Sequence, residues 1–358
     1  MQDESSQVQV IHEGRHASIV LWKRSPGQSI IVKAFQQDSI PLEILVIRKL
    51  PRHRNIIYEI KDVFTQDFGI SIALPCLPVS LNDVLTSPLD GRPAVPQVMA
   101  HQLCAGLAFL HTRRVAHRDI KPDNVMLDSD GTVVIIDFGS VWTDNEMFRG
   151  TSPPDRMDYQ VGTGPYRAPE LLFGPTIYDP FAVDSWALGC VIGEMLLASD
   201  SGRAPGTLFD AAFGDLGLAG SIFRLTGTPT EQTWPDFGSL PDAGKFAFDY
   251  REAVPLHRRI HAQPEAIDLV SKLLQLDPST RLSPAQALVQ PWCSLLASPP
   301  NLSRSRPDDA FIGAARLGHS PIQDRAMQPD AAEGHTDDQI VRDMSLDRHS
   351  DASHTPRQ

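Results

Sequence analysis

The feature that most constrains this chain is the polar run 117–124 (HRDIKPDN), which is followed by the triplet 137–139 (DFG). The triplet ends the apolar stretch 133–136, whose pattern is typical of a short buried strand. Together the two motifs are predicted to place two carboxylates, a lysine and an amide around one phosphoryl group. These are the groups that phosphoryl transfer needs, because its loose, highly anionic transition state is stabilised by metal ions and positioned charges.

Four polar residues of the two motifs have a chemical reason to be there. Asp119 can accept the proton of an incoming hydroxyl group. Lys121, two residues later in an extended loop, lies on the same side and can neutralise the transferred phosphate. Asn124 and Asp137 offer oxygen ligands to Mg²⁺, a hard cation that keeps several waters and takes few protein carboxylates. The motifs therefore predict a site that transfers phosphate from ATP to a hydroxyl group.

In the spacing and order of its motifs, the chain resembles the protein kinases over about residues 8–297. The run 30–33 (IIVK) is similar to the strand whose lysine, here Lys33, holds the α- and β-phosphates of ATP. Glu43 falls in the first turn of a predicted helix that starts near Pro41, where a carboxylate also suits the helix dipole. The resemblance implies a Lys33–Glu43 ion pair, ATP and Mg²⁺ as cofactors, and an α+β fold with a small β-rich lobe and a larger helical lobe.

Two segments of the expected nucleotide site depart from the family pattern. Only Gly14 remains in the segment 11–19 (IHEGRHASI), where the family has three glycines. Because glycine allows close backbone approach, we expect weaker ATP binding than in a typical relative. The segment 74–78 (LPCLP) resembles the hinge, and its prolines lack N–H groups, so adenine is expected to bind the N–H of Cys76 or Leu77. The nucleotide-binding residues implied by the resemblance are Ile11, Gly14, Ile19, Ile31, Lys33, Glu43, Leu74, Cys76 and Leu77.

The pattern of apolar residues divides the chain into three predicted parts: the β-rich lobe over 1–77, the helical lobe over 78–297 and a tail over 298–358. The strands and the helix of the first part are expected near residues 8–35, 41–50, 56–64 and 69–74. The helices of the second part are expected over residues 95–111, 182–199, 264–275 and 284–289. The tail is rich in Pro, Ser, Asp and Arg without periodicity, so it is predicted to be disordered.

Three further motifs have structural roles in the family. Residues 168–170 (APE) end the activation segment, and residues 184–189 (DSWALG) begin the apolar helix that supports the catalytic loop. Arg281 is the expected buried partner of Glu170. Since removing one member of a buried ion pair costs about 3–5 kcal/mol, a change at either residue should reduce activity by destabilising the fold.

Residues beyond the catalytic motifs narrow the resemblance to the cyclin-dependent kinases and their relatives. Arg167 and the insert 225–242 (LTGTPTEQTWPDFGSLPD) are similar to that group. Lys121 and Thr163 match the serine/threonine kinases, and Thr163 is expected to hydrogen-bond both the base and the lysine of the catalytic loop. Gly162 replaces the residue that shapes the pocket after the phosphoacceptor in proline-directed relatives, so strict proline specificity is not expected.

Both regulatory elements of the cyclin-dependent kinases are altered. The short segment 34–40 precedes the helix, so the cyclin-docking surface is expected to be shortened or missing and cyclin binding is doubtful. Asp158 occupies the position of the activating phosphothreonine. Of the three arginines that grip that phosphate only Arg118 remains, with Leu42 and Trp142 at the other positions. An Asp158–Arg118 ion pair is expected to replace the phosphate, because one carboxylate needs one guanidinium; the competing interpretation is an exposed loop charge of little value.

A kinase of this group that needs neither cyclin nor a phosphorylated activation loop resembles the monomeric fungal kinases that phosphorylate the activation loops of cyclin-dependent kinases. The resemblance implies a monomer whose protein substrates include cyclin-dependent kinases. Two alternatives remain open. One is a cyclin-dependent, proline-directed kinase; the other is a pseudokinase that acts as a scaffold, favoured only by the altered glycine loop and the prolines of the hinge.

Composition argues against several other classes. A net charge of −12 disfavours a nucleic-acid-binding surface, which requires clustered Lys and Arg. The cysteines lie far apart, at positions 76, 104, 190 and 293. They indicate buried thiols in a reducing compartment, the cytoplasm or the nucleus. The acidic, polar amino terminus predicts no secretory signal, and no apolar run is expected to span a membrane.

Overall fold

The computed structural model describes residues 7–14, 17–25, 28–36, 40–57, 59–66, 69–87, 96–148, 153–199 and 206–294. All of these belong to one unit, Met1–Leu317. The predicted tail over residues 298–358 lies outside the described residues, as does Val95 at the expected start of a helix.

A five-stranded antiparallel sheet forms the amino-terminal part of the domain. Its strands are β1 (Gln7–Glu13), β2 (Ala17–Ser25), β3 (Gln28–Phe35), β4 (Asp62–Gln66) and β5 (Gly69–Pro75). The spatial order is β1-β2-β3-β5-β4, which places β3 in the centre. Residues 70–74 of β5 are all buried, as their sequence, apolar except for Ser71, predicts for a strand covered on both faces.

Helix α1 (Leu42–Lys49) follows Pro41 and carries Glu43 in its first turn and basic residues in its last turn, which suits the helix dipole at both ends. The prediction of a strand near 56–64 is partly wrong, because β4 begins only at Asp62. The apolar residues before it leave the sheet and pair with the helical lobe instead. The backbone N–H of Ile57 donates to the carbonyl of Ile135 at 3.0 Å.

The carboxy-terminal part is helical. Its helices are α2 (Leu81–Thr86), α3 (Pro96–His111), α4 (Pro180–Ala198), α5 (Gly214–Thr226), α6 (Pro264–Leu273), α7 (Pro284–Leu288) and α8 (Pro291–Ser294). Its short strands are β6 (Val79–Ser80), β7 (Val115–Ala116), β8 (Val125–Leu127), β9 (Val133–Ile135) and β10 (Trp142–Thr143). They pair as β6-β8-β9 and as β10-β7. The α+β architecture predicted from the sequence is confirmed; the predicted lobe boundary after residue 77 falls between β5 and β6 and stays a prediction.

Helix α4 is the core of the helical part. With 19 residues and a mean hydropathy of 1.5 in its most apolar window, it has the length and composition of a membrane span, which corrects the expectation that no apolar run reaches that length. However, 94% of that window is buried inside the domain. Near its start, the carbonyl of Ala182 accepts from Arg281, whose guanidinium also forms two 2.7 Å hydrogen bonds to Glu170. The buried pair expected from the sequence is therefore present.

Candidate active site

The catalytic loop is held in a strained conformation by the buried carboxylate of Asp184. Arg118 has a φ of 63°, which costs a non-glycine residue on the order of 1–3 kcal/mol. Asp184 accepts hydrogen bonds from the backbone N–H of His117 at 2.8 Å and of Arg118 at 2.6 Å. It also bonds Nε2 of His111 at 2.8 Å. Helix α4 thereby fixes the backbone that precedes the predicted base.

The four residues predicted to act on the substrate form one hydrogen-bonded cluster around Asp119. The hydroxyl of Thr163 donates to Oδ1 of Asp119 at 2.6 Å, and Lys121 Nζ donates to the same hydroxyl at 2.8 Å. Lys121 Nζ also lies 3.0 Å from Oδ2 of Asp119. The amide nitrogen of Asn124 donates to the carbonyl of Asp119 at 2.8 Å and to its Oδ2 at 3.1 Å. The contacts expected for Thr163 are all present, although it lies 44 residues from Asp119 in sequence.

Lys33 connects the amino-terminal sheet to the DFG motif at residues 137–139. Its Nζ lies 2.7 Å from Oε2 of Glu43 on α1 and 2.6 Å from Oδ1 of Asp137. The next residue, Phe138, is fully buried, and its ring centroid lies 5.3 Å from that of His117. The central strand, helix α1, the metal-binding motif and the catalytic loop are therefore connected by direct contacts.

Burial and charge act in opposite directions on this cluster. Burial alone would lower the pKa of Lys33, but the two carboxylates raise it overall, so the amine stays protonated. Burial raises the pKa of Glu43, and the attraction of Lys33 offsets only part of that effect. Burial would also raise the pKa of Asp137, yet the Lys33 ammonium holds it below its usual value. Asp137 therefore remains an ionised ligand for a metal ion.

Four of the predicted nucleotide-binding residues share one face of the sheet. Directly opposite residues on neighbouring strands point to the same side, and Lys33 lies opposite Ile19 of β2, while Ile31 lies opposite Leu74 of β5. Lys33 and Ile31 are two residues apart and so lie on the same face of β3. This face could hold an adenine ring against apolar side chains with the phosphates near the lysine.

Four other predicted nucleotide-binding residues lie on β1 or directly after β1 and β5. Ile11 lies on β1 and is 54% exposed, and Cys76 and Leu77 are half-buried directly after β5. Burial raises the pKa of the Cys76 thiol. Gly14 donates its N–H to the carbonyl of Ala17 at 3.0 Å, and a Cβ at this position would lie 2.9 Å from the His12 ring. The same Cβ would lie 3.1 Å from the backbone carbonyl oxygen of Ala17, so close approach, and not a positive φ, favours glycine here.

The residues that would hold Mg²⁺ fit that ion. Asn124 uses its amide nitrogen for Asp119, which leaves the amide oxygen as a ligand atom. Oδ1 of Asp137 accepts hydrogen bonds from Lys33 Nζ and from the Gly139 N–H, which leaves Oδ2 as a ligand atom. Among the described residues no group of three or more His, Cys, Asp or Glu could hold a metal ion. A site with one carboxylate, one amide oxygen and the phosphates of ATP is the type that Mg²⁺ prefers.

The predicted Asp158–Arg118 ion pair is wrong, because Arg118 contacts the backbone carbonyl of Asp158 and not its carboxylate. Asp158 is exposed, and its carboxylate accepts the backbone N–H of Gln160 at 2.8 Å. Short acidic side chains favour such local bonds. Arg118 instead donates to the hydroxyl of Tyr178 at 2.8 Å, to the carbonyl of Ser140 at 2.8 Å and more weakly to the backbone carbonyl of Asp158 at 3.4 Å.

Two contributors to this site were not predicted from the sequence. The hydroxyl of Tyr178 accepts from Arg118 and donates to the carbonyl of Asp158. His111 ends α3 and reaches the carboxylate of Asp184. Neither Tyr178 nor His111 could be predicted from periodicity or motif spacing, because each contacts a segment that is distant in the sequence.

The sequence matches the protein kinase domain family over residues 4–293. It is 32% identical to cyclin-dependent kinase 20 of Danio rerio over 304 residues, which cover 81% of this chain and 83% of that protein. It is also 32% identical to cyclin-dependent kinase 20 of Mus musculus over 297 residues, with 79% and 80% coverage, and 31% identical to that of Homo sapiens, with the same coverage.

These matches and the geometry agree: the chain belongs to the protein kinase family. Its relatives place it among the cyclin-dependent-kinase-like kinases. ATP is accordingly its phosphate donor, Mg²⁺ its metal ion and proteins its substrates.

Proposed function

We propose that this chain is an active serine/threonine kinase that needs neither a cyclin nor a phosphorylated activation loop, and that it phosphorylates the activation loops of cyclin-dependent kinases. The observation that carries the proposal is the set of contacts joining Lys33, Glu43 and Asp137. In protein kinases the lysine–glutamate pair and the metal-binding aspartate must both be in place for activity, and helix position controls them.

The Lys33–Glu43 contact supports activity without a cyclin. Both side chains are more than nine-tenths buried, and the 2.7 Å distance is reached in the single chain. Helix α1 has only eight residues and buries Ile44, Val46 and Ile47 along with Glu43. This packing of the helix supports a position of Glu43 that does not depend on a partner protein.

The contacts of Arg118 support independence from activation-loop phosphate. In place of a phosphate, the guanidinium has neutral oxygen acceptors from Tyr178, Ser140 and Asp158. A second hydrogen bond also holds the activation segment: the N–H of Met157 donates to the carbonyl of Thr176 at 2.8 Å. These neutral contacts hold the segment where the family uses a phosphate.

The residues assign a role to each step of the transfer. Asp119 takes the proton of the serine or threonine hydroxyl as its oxygen bonds to the γ-phosphorus, and the bond from that phosphorus to the β,γ-bridging oxygen breaks. Lys121 neutralises charge on the transferred group, and Lys33 holds the phosphates that remain in ADP. When bound at Asn124 and Asp137, Mg²⁺ would supply the positive charge that the phosphates require.

The test uses the purified chain with magnesium ATP and an unphosphorylated, catalytically inactive cyclin-dependent kinase, followed by mapping of the modified residue. We expect phosphate on the activation loop without added cyclin, and none with the Asp119→Asn variant. A chain that is inactive until a cyclin is added, or until it is itself phosphorylated, would refute the proposal. A biological effect that persists in Asp119→Asn would instead favour the scaffold interpretation.

A second variant tests the neutral contacts separately. Tyr178→Phe removes a hydrogen bond to a charged group, worth about 1.5–3 kcal/mol, so kcat should fall by about tenfold or more. Tyr250→Phe is the matched control, since Tyr250 is 71% exposed. Equal kcat values for the two variants would mean that Tyr178 has no part in holding the activation segment.

A proline-directed kinase is the second candidate, and one observation favours it. Arg167 Nε donates to the carbonyl of Val161 at 3.2 Å, beside Gly162, whose φ is 79°. A carbonyl already bonded to arginine does not need an N–H from the substrate, so a proline next to the acceptor loses no hydrogen bond. Two peptides, one with proline after the acceptor and one copied from a kinase activation loop, distinguish the candidates by kcat/KM.

A further inference from the structure

A cavity of about 660 Å³ lies beside the end of the activation segment and shares no lining residue with the predicted nucleotide site. Its walls come from Pro165, the segment 207–212, helix α5 and the segment around Val254. Three arginines, Arg224, Arg258 and Arg259, line it, so we call it the arginine groove.

The arginine groove carries positive charge that the protein itself does not neutralise. Asp210 is the only acidic residue among its lining residues, and its carboxylate accepts the N–H of Ala212 at 2.9 Å. Arg224 and Arg258 are exposed, and neither guanidinium forms an ion pair or hydrogen bond with any residue that the structure describes. Arg259 donates to the carbonyl of Thr207 at 3.4 Å. Arg224 and Arg258 therefore bring two positive charges, without an acidic partner among the described residues, to a chain whose net charge is −12.

The position of the groove connects it to the substrate. Pro165 lines the groove and lies two residues after Thr163, whose hydroxyl donates to Asp119. A protein chain that presents a hydroxyl to Asp119 therefore has the groove within reach of its neighbouring residues. Ala211 and Val254 add apolar surface to the lining of the groove.

We propose that the arginine groove binds an anionic segment of the protein substrate, made of acidic or phosphorylated side chains near the acceptor residue. The inference rests on the proposed kinase function. Guanidinium groups suit this ligand because they bind carboxylate and phosphate oxygens through two parallel hydrogen bonds. Each solvent-exposed ion pair should add about two- to fivefold to kcat/KM.

The kinetic test uses serine peptides in which a block of three glutamates is moved along both sides of the acceptor, with three glutamines as the neutral reference. At one spacing the glutamate peptide should have a kcat/KM about four- to twenty-fivefold above the glutamine peptide, and 0.5 M NaCl should reduce this ratio because it screens exposed charges. In the double variant Arg224→Gln and Arg258→Gln the ratio should fall close to one. Arg251→Gln removes the same charge from an exposed residue outside the groove and should keep the wild-type ratio.

A phosphoserine peptide at the same spacing distinguishes the two sources of negative charge. A gain with glutamate assigns the groove to acidic segments, and a gain with phosphoserine alone assigns it to phosphorylated ones. The proposal is wrong if neither the glutamate nor the phosphoserine peptides gain in kcat/KM at any spacing. It is also wrong if the double variant keeps the gain of the wild type.

Direct binding separates this inference from the proposed kinase function. Fluorescence anisotropy of a labelled glutamate peptide without a hydroxyl acceptor needs no catalysis. If the chain phosphorylates none of the peptides, the kinase function fails, yet the groove proposal still predicts binding that the double variant weakens. Equal binding by the wild type and the double variant, for both the glutamate peptide and a phosphoserine peptide of the same design, would refute it.

Discussion

The buried pair between Glu170 and Arg281 allows a sharp test of whether a residue near the activation segment acts on stability or on chemistry. The guanidinium is fully buried, and the carboxylate is 3% exposed. Two hydrogen bonds of 2.7 Å join them. Glu170→Gln keeps the size of the side chain but removes the negative charge. Arg281 cannot lose its proton, so its charge is left buried without a counter-ion.

The expected cost follows from this geometry. Arg281 also donates to the carbonyls of Gln275 at 2.7 Å, Leu276 at 3.0 Å and Ala182 at 3.1 Å, which keep the guanidinium from moving out to water. Breaking such a pair costs about 3–5 kcal/mol. Residues 4–293 form the kinase domain, and at about 2.1 cal/mol/K per residue their unfolding entropy is about 0.6 kcal/mol/K. Tm should therefore fall by about 5–8 °C.

The assay compares thermal unfolding with kcat measured well below Tm. The matched control is Asp268→Asn, which breaks a 2.6 Å ion pair with Lys272 in which both side chains are about half exposed. That variant should lose no more than about 0.5 kcal/mol. Glu170→Gln should retain kcat at low temperature. The reasoning fails if both variants have the same Tm, or if Glu170→Gln loses kcat while its Tm is unchanged.

Four further predictions follow from other parts of the structure. Lys33→Met should lower kcat by about 10²–10³-fold in a peptide assay, because a charge aimed at the phosphates is lost. Asp158→Asn should keep kcat within about twofold, because only its backbone carbonyl meets Arg118; a larger loss would restore the role of the carboxylate. His12→Gly with Ala17→Gly should lower the KM for ATP by relaxing the glycine loop; an unchanged KM would mean that the lost glycines do not weaken nucleotide binding. Burial raises the pKa of Glu194 above its usual 4.5, so the folded state binds an extra proton and stability falls as pH rises through the raised pKa. Glu194→Gln should therefore gain stability relative to the wild type as pH rises above 4.5 in urea unfolding, and a pH-independent difference would contradict this.

The parts that the sequence predicted best are those in which local pattern and motif agree. The strands around Lys33 have alternating or continuous β-branched residues, and α4 and α6 begin at prolines that suit a first helical turn. Helix α5 was missed because its sequence GDLGLAG is rich in glycine, which weakens helix propensity and hides the apolar period. The strand predicted near 56–64 wrongly includes Ile56 and Ile57, because their apolar character does not say which lobe buries them.

The contacts of the site were predictable only through the family resemblance. Thr163 lies 44 residues from Asp119, and Arg281 lies 111 residues from Glu170, so spacing alone places neither pair together. Charge complementarity wrongly predicted an ion pair between the Asp158 carboxylate and Arg118. An exposed carboxylate gains little from an arginine across solvent, whereas a backbone N–H two residues away is already within reach.

The contacts of Arg118 explain how the described part of the activation segment can be held without the two other phosphate-binding arginines. A phosphate would bring a charge of about −1.5 to −2, and with Leu42 and Trp142 at the other positions one guanidinium would have to neutralise all of it. Tyr178 avoids this imbalance. Burial raises the pKa of its phenol, although the nearby Arg118 opposes the shift. The hydroxyl therefore stays neutral and can accept from Arg118 while it donates to the activation segment. The positive charge of Arg118 is stabilised by the dipoles of these neutral oxygen acceptors. No second cation is needed, because there is no phosphate charge to balance.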